Sequence, residues 1–163
     1  MARLLVSGSS HRYVNASAAA VSAYPFTIYA RVRITAKDGN AHVIGGMFRG
    51  SGAADYGSYL CFENRGGLDE WQAVSTDNNN WSFSSLGPTA SAGTWVSVVG
   101  VFASATGRTV YADGSAGSSS TASRAVAAVN RTTMGAYINA AGSFGDHFGG
   151  DIGEFGIAPV TAT

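Results

Sequence analysis

Residues 149–158 read GGDIGEFGIA and set two carboxylates, Asp151 and Glu154, three positions apart among glycines and apolar residues. Paired carboxylates carry out glycoside hydrolysis, and retaining enzymes hold them ~5–5.5 Å apart. Residues three apart in a regular strand face opposite sides, so this pair could act on one sugar only across a bulge. The structural alternative is hydrogen bonding to turn backbone. His11, His42 and His147 are far apart and accompany a single cysteine, Cys61, so no zinc-ligand spacing exists. No G-x-S-x-G nucleophile elbow occurs. The stretch DNNNWS, residues 77–82, has the polarity of a calcium loop, but Trp81 falls where an EF-hand needs an oxygen ligand and no glycine follows. An Asn-rich hairpin turn explains the same residues, because asparagine tolerates left-handed backbone.

Sugars bind by stacking apolar faces on aromatic rings while their hydroxyls meet Asn, Asp and Arg. Two stretches combine these types: LDEWQ, with Asp69 and Trp71, and DNNNW, with Asp77, Asn78, Asn80 and Trp81. They fall at the two ends of one predicted hairpin, and these six residues are the candidate ligand-binding set. Trp81 shares a strand face with Phe83, which points it to the core, whereas Trp71 fits a core or a binding face equally. Tyr29, Arg31 and Arg33 form an outward stripe that reads as a solvated sheet face or a partner surface.

The elements that must position these residues are strands. Residues 26–34, FTIYARVRI, alternate Phe26, Ile28, Ala30, Val32 and Ile34 with Thr27, Tyr29, Arg31 and Arg33, the pattern of a half-buried strand. Further strands are predicted over 42–49, 57–64, 71–77, 80–86, 94–103, 108–114, 131–138 and 151–158, separated by Gly, Asn, Asp and Ser clusters. Alanine-rich 16–23 reads as a loop, and 113–123 as a hairpin and loop. In 94–103, Val96, Val98 and Phe102 share one face and Trp95, Val99 and Val101 the other, so loops or a partner should cover its second side.

Composition sets the class. The 163 residues suit one domain, 1–163, able to bury roughly 68–70% of its unfolded surface. With 22 glycines and a single lysine, the chain favours short strands and turns over helix bundles. Ten basic residues balance ten acidic ones, mostly scattered, which gives no footprint for nucleic acid. The first ten residues hold only a three-residue apolar run, too short for a secretory signal, and no stretch is long enough to span a bilayer. The expectation is a protein made in the cytoplasm and not placed in a membrane. The sequons at Asn15, Asn80 and Asn130 then carry no weight.

Taken together, PFTIYARVRI, GTWVSVVGVFASATGRTVYADGS, NRTTMGAY and FGGDIGEFGIA resemble a concanavalin A-like lectin/glucanase domain of the laminin-G type, over about residues 3 to 158. The matching positions are Trp95, Val98, Phe102, Arg108, Tyr111, Asp113, Gly114, Gly135, Phe148, Gly150, Asp151, Ile152 and Glu154. The resemblance implies an all-β fold, a two-sheet antiparallel jelly-roll sandwich. The glucanase branch carries E-x-D-x-x-E on one strand; aligned on Asp151 and Glu154, its nucleophile position holds Gly149, which argues against an enzyme. Many laminin-G and pentraxin-like members bind calcium in rim loops, so no cofactor is expected other than calcium at Asp77 or its asparagines. Family members commonly continue after GIA into a short acidic helix; here PVTAT follows, so the last strand's edge is expected to be open or covered by a neighbour.

The small-residue style, with VFASATGRTVYADG, also resembles modules of tailed-phage structural proteins. It implies a non-catalytic module on a virion surface, a capsid decoration or fibre component made in the host cytoplasm. Its partners would be other virion structural proteins, host glycans or further copies of the chain. The alternative is a stand-alone carbohydrate-binding lectin module whose rim loops around residues 69–81 recognise sugar. A glycoside hydrolase ranks below both.

Overall fold

The computed structural model describes residues 14–35, 37–87, 91–125 and 129–159. In chain order the strands are β1 (Val14–Ala16), β2 (Phe26–Ile34), β3 (Ala41–Phe48), β4 (Gly57–Glu63), β5 (Glu70–Asp77), β6 (Asn80–Leu86) and β7 (Trp95–Ser104). They continue as β8 (Gly107–Ala112), β9 (Ser115–Ser120), β10 (Arg131–Met134), β11 (Tyr137–Ile138), β12 (Phe144–Gly145) and β13 (Gly150–Pro159). One 3-10 turn, Arg65–Gly67, lies between β4 and β5. No helix among the described residues is long and apolar enough to cross a membrane.

Two antiparallel sheets form the expected all-β sandwich. One has six strands in the order β1-β10-β3-β4-β5-β6, the other five in the order β13-β2-β7-β8-β9. The alternation of β2 holds residue for residue: Phe26, Ile28, Ala30, Val32 and Ile34 are buried and their neighbours are not. Packed against Phe26, Ile28, Val32, Val98 and Phe102 of this sheet are Ile44, Met47, Leu60, Phe62, Trp71 and Ala73 of the other. Phe26 stacks between Tyr24 and Phe102, with centroids 5.4 and 4.8 Å away. Such ring pairs contribute beyond the area they bury.

Strand 131–138 is interrupted. Gly135, at φ 86°, breaks it into β10 and β11. A left-handed backbone suits glycine, and it turns the chain off the six-stranded sheet. The β11–β12 hairpin then lies on that sheet's outer face, covering Val43, Phe48, Tyr59, Cys61 and Val74 with Tyr137, Ile138 and Phe144. The segment 113–123, expected as hairpin and loop, supplies an edge strand, β9.

Trp81 and Phe83 face outward, 46% and 50% exposed, contrary to the core placement expected from their shared face. The inward positions of β6 belong to Ser82 and Ser84. Here the edges β6 and β9 converge: Ser82 and Ser120 hydroxyls bond at 2.6 Å, Ser84 Oγ donates to Ser118 O and accepts Val110 N–H, and Ser118 Oγ accepts Ser85 N–H. A Cβ on Gly117 would stand 2.4 Å from Ser85 O. There is no room for rings between edges so close, and with a period of two, serines inside put Trp81 and Phe83 outside. Buried Arg108 completes the seam. Nη1 donates to Ser82 and Ser120 Oγ (2.5 and 3.2 Å), and Nη2 to the carbonyls of Ala105 and Ala122 (2.7 and 2.9 Å). Burial lowers the pKa of this guanidinium.

Candidate functional site

Outward rings on β6 and the β11–β12 hairpin leave a groove of about 470 Å³ on the outer face of the six-stranded sheet. Its floor alternates with the strand period: Ala41 and Val43 from β3, Tyr59, Cys61 and Glu63 from β4, Gln72 and Val74 from β5, Trp81 and Phe83 from β6. Tyr137 of β11, Asp146 after β12, and Arg65 and Leu68 of the β4–β5 connection complete the lining. Trp81 is braced rather than loose. Its ring meets Tyr59 edge-on at 6.2 Å and Tyr137 at 5.8 Å, and these tyrosines touch each other at 5.7 Å. Leu68, 44% exposed, extends the apolar surface.

The polar groups are also fixed. Glu63 accepts from Arg65 Nε (2.9 Å), Nη2 (2.8 Å) and the Arg65 backbone N–H (2.9 Å). Partial burial pushes the Glu63 carboxyl up, but these bonds outweigh it and hold the group below the usual glutamate range. The same contacts raise the Arg65 guanidinium. Asp146, at φ 44°, is anchored by its carbonyl, which accepts Val43 N–H at 2.8 Å, and its side chain is exposed. Burial first, and then the Glu63 and Asp146 carboxylates, push the Cys61 thiol up, Arg65 opposing them. Burial also raises Tyr59 and Tyr137.

Of the six residues the sequence singled out, only Trp81 lines this groove. Trp71 is fully buried, packed on Phe62 at 4.9 Å, so no ring face is left for a ligand. Asp69 forms an ion pair with Lys37. Asp77 accepts Ala125 N–H at 3.0 Å and lies 3.9 Å from Arg124 Nε. Asn78 and Asn79 occupy the left-handed region, φ 46° and 63°, as the two central residues of a hairpin turn, and Asn80 Nδ2 donates to Asn78 O. The two ends of this hairpin are separated by the length of β5, eight residues or ~25 Å, so Asp69 and Asp77 belong to no common site. Asp77 is occupied by Ala125 and Arg124 rather than presented to a cation. Among the described residues no three of His, Cys, Asp and Glu approach closely enough to hold a metal ion.

Tyr59, Glu63, Arg65, Leu68, Gln72, Phe83, Tyr137 and Asp146 were not singled out by sequence. The alternation of Tyr59, Cys61 and Glu63 along GSYLCFE is the one local signal that puts three of the lining residues on a face.

Asp151 and Glu154 have another role. The register of β13 against β2 shifts between Ile152 and Glu154, so Asp151 pairs with Arg33 and Glu154 with Arg31. The bulge brings both carboxylates to the outer face of the five-stranded sheet. Asp151 accepts from Arg33 Nε at 2.8 Å and Nη2 at 2.5 Å, not from turn backbone. Arg33 in turn lies over the Trp95 ring at 5.2 Å, with Arg31 at 6.0 Å. Around this stack Trp95, Val99 and Val101 remain half-exposed and Tyr29 exposed.

The two twisted sheets and an aromatic groove on an outer face define a β-sandwich of concanavalin A-like architecture. The chain belongs to the Laminin_G_3 family of the concanavalin A-like lectin/glucanases superfamily, whose model matches residues 7–162. No curated protein is similar in sequence. Among solved structures, a heptameric SAP-like pentraxin of Limulus polyphemus is similar at TM-score 0.69 and 13% identity, over 97% of this chain and 76% of its own. The CBM40 of a Ruminococcus gnavus IT-sialidase, bound to alpha2,3 sialyllactose, has TM-score 0.71 and 13% identity, over 87% and 79%. The Caenorhabditis elegans galectin LEC-6 has TM-score 0.56 and 8% identity, over 95% of both. At these identities the likeness is one of fold.

Proposed function

We propose that residues 1–163 form a single non-catalytic binding module that takes a glycan into the groove between the β11–β12 hairpin and the 3-10 turn. The observation that carries this reading is Trp81: a large ring, 46% exposed, held in place by Tyr59 and Tyr137 in a concave site with polar groups around it. Pre-positioned rings take up a pyranose face at low entropic cost, and Glu63, Gln72 and Asp146 offer acceptors to its hydroxyls. The membership of lectin-like and carbohydrate-binding proteins among its structural relatives supports a binding role. Catalysis has no such support, because Asp151 is spent on Arg33 and Gly149 stands where a nucleophile would be.

The test is a glycan array probed with wild-type protein and Trp81→Ala. Wild type should retain one or more oligosaccharides. Trp81→Ala should keep its circular dichroism, with a small fall in melting temperature from the lost ring contacts to Tyr59 and Tyr137, while losing roughly tenfold or more in affinity. Equal binding by the variant would move recognition elsewhere.

A second reading concerns where the module works. The resemblance to phage structural modules suggests a virion surface, with a capsid or fibre protein, or another copy, as partner. The half-exposed Trp95, Val99 and Val101 beside exposed Tyr29 favour attachment through the five-stranded sheet, which leaves the groove free on the opposite side. Light scattering on the purified chain, with co-sedimentation on virus particles, tests it. A monomer with no affinity for any particle would speak against it.

A further inference from the structure

Resting on the glycan-binding reading, we infer that the groove selects uncharged glycans and rejects acidic ones, with Glu63 as the residue that sets this preference by locking Arg65. Among the described residues Arg65 is the one cation lining the groove, and a guanidinium there is the natural partner for the carboxylate or sulfate of an acidic sugar. One edge of its fork is already occupied: Nε and Nη2 both point at the Glu63 carboxylate, at 2.9 and 2.8 Å. The Glu63 side chain is 10% exposed, the Arg65 side chain 60%. A buried carboxylate thus neutralises an exposed guanidinium and takes the edge best suited to bidentate recognition, which leaves an incoming anion only the Nη1 side of an already paired charge.

The other titratable groups push the same way. Asp146 also lines the groove and brings a second negative charge, so among the described residues the lining carries Glu63 and Asp146 against Arg65. Its field reaches Tyr59, Cys61, Tyr137 and Arg65 alike. An anion therefore meets a net repulsive wall, while a neutral sugar meets rings for its apolar face and carboxylate acceptors for its hydroxyls. Specificity of this kind comes from the repulsive element as much as from the attractive one.

Affinities of wild type, Glu63→Gln and Asp146→Asn would be measured on neutral oligosaccharides and on their sialylated, uronic and sulfated counterparts at low and moderate salt. Wild type should bind neutral glycans and leave the acidic ones at least ~5-fold weaker. Glu63→Gln, nearly isosteric, frees Arg65 and should raise the acidic-to-neutral affinity ratio by ~5–10-fold, the gain shrinking with salt. Asp146→Asn, which suits left-handed backbone, should move the ratio in the same direction by a smaller factor and guards against misfolding of the first variant. Wild-type preference for acidic glycans, or a ratio unchanged in both folded variants, overturns the inference while leaving glycan binding intact. Retention of no glycan at all by wild type instead removes the reading on which it rests.

Discussion

Trp81 and Trp71 sit ten residues apart in one hairpin and meet opposite fates. Which ring is available depends on what each strand position faces, not on the polar residues beside it in sequence. Asp69 and Glu70 precede Trp71, yet Trp71 is core because it opposes Phe62 across the β4–β5 ladder on the inward face. Trp81 follows three asparagines and is outward because Ser82 is inward. At this scale Cys61 provides a check on how tightly the groove floor is packed. Its thiol is 3% exposed and pushed up by burial, so the thiolate fraction at pH 8 should be far below that of an ordinary cysteine with pKa ~8.5. Native protein should resist iodoacetamide and label readily after unfolding in urea. Rapid labelling of the native protein would mean that the floor opens.

Among the elements, β2 was fully legible because one of its faces is apolar without exception and the other polar or aromatic at every position. The hairpin turn at Asn78 and Asn79 was legible for a local reason as well, the tolerance of asparagine for left-handed backbone. Polarity at β6 misleads because hydrophobic patterning assumes an apolar core, whereas this edge of the sandwich is sealed by serine hydroxyls around a buried guanidinium. Most of the groove was not legible, since Glu63, Arg65, Gln72, Trp81 and Asp146 come from separate elements and meet only through strand pairing. The catalytic possibility at Asp151 and Glu154 turned on a bulge that no residue type announces. The seam yields its own prediction. Arg108→Met keeps much of the volume but removes the guanidinium's bonds to Ser82, Ser120, Ala105 and Ala122, and a hydrogen bond to a charged group contributes about 1.5–3 kcal/mol net. A loss of ~2–4 kcal/mol in urea unfolding is expected, with the Ser82–Ser120 bond surviving. An unchanged midpoint would mean that the seam contributes little.

Across the whole molecule, the two outer faces divide the work. The six-stranded sheet carries the aromatic groove, and the five-stranded sheet carries the ladder of Arg31, Arg33, Asp151 and Glu154 around Trp95. The core between them separates the faces by about two sheet thicknesses, with sheets packed ~10 Å apart, so a partner on one need not obstruct a ligand on the other. The measurement that tests this division most directly is an amide and indole chemical-shift titration of isotope-labelled protein with the neutral oligosaccharide best retained on the array. Shifts should concentrate at Trp81, Phe83, Leu68, Arg65 and Asp146 and leave Tyr29, Trp95 and Val99 unmoved. Shifts centred on Asp69 and Asp77, or on the Trp95 face, would contradict the placement of the binding site in the groove.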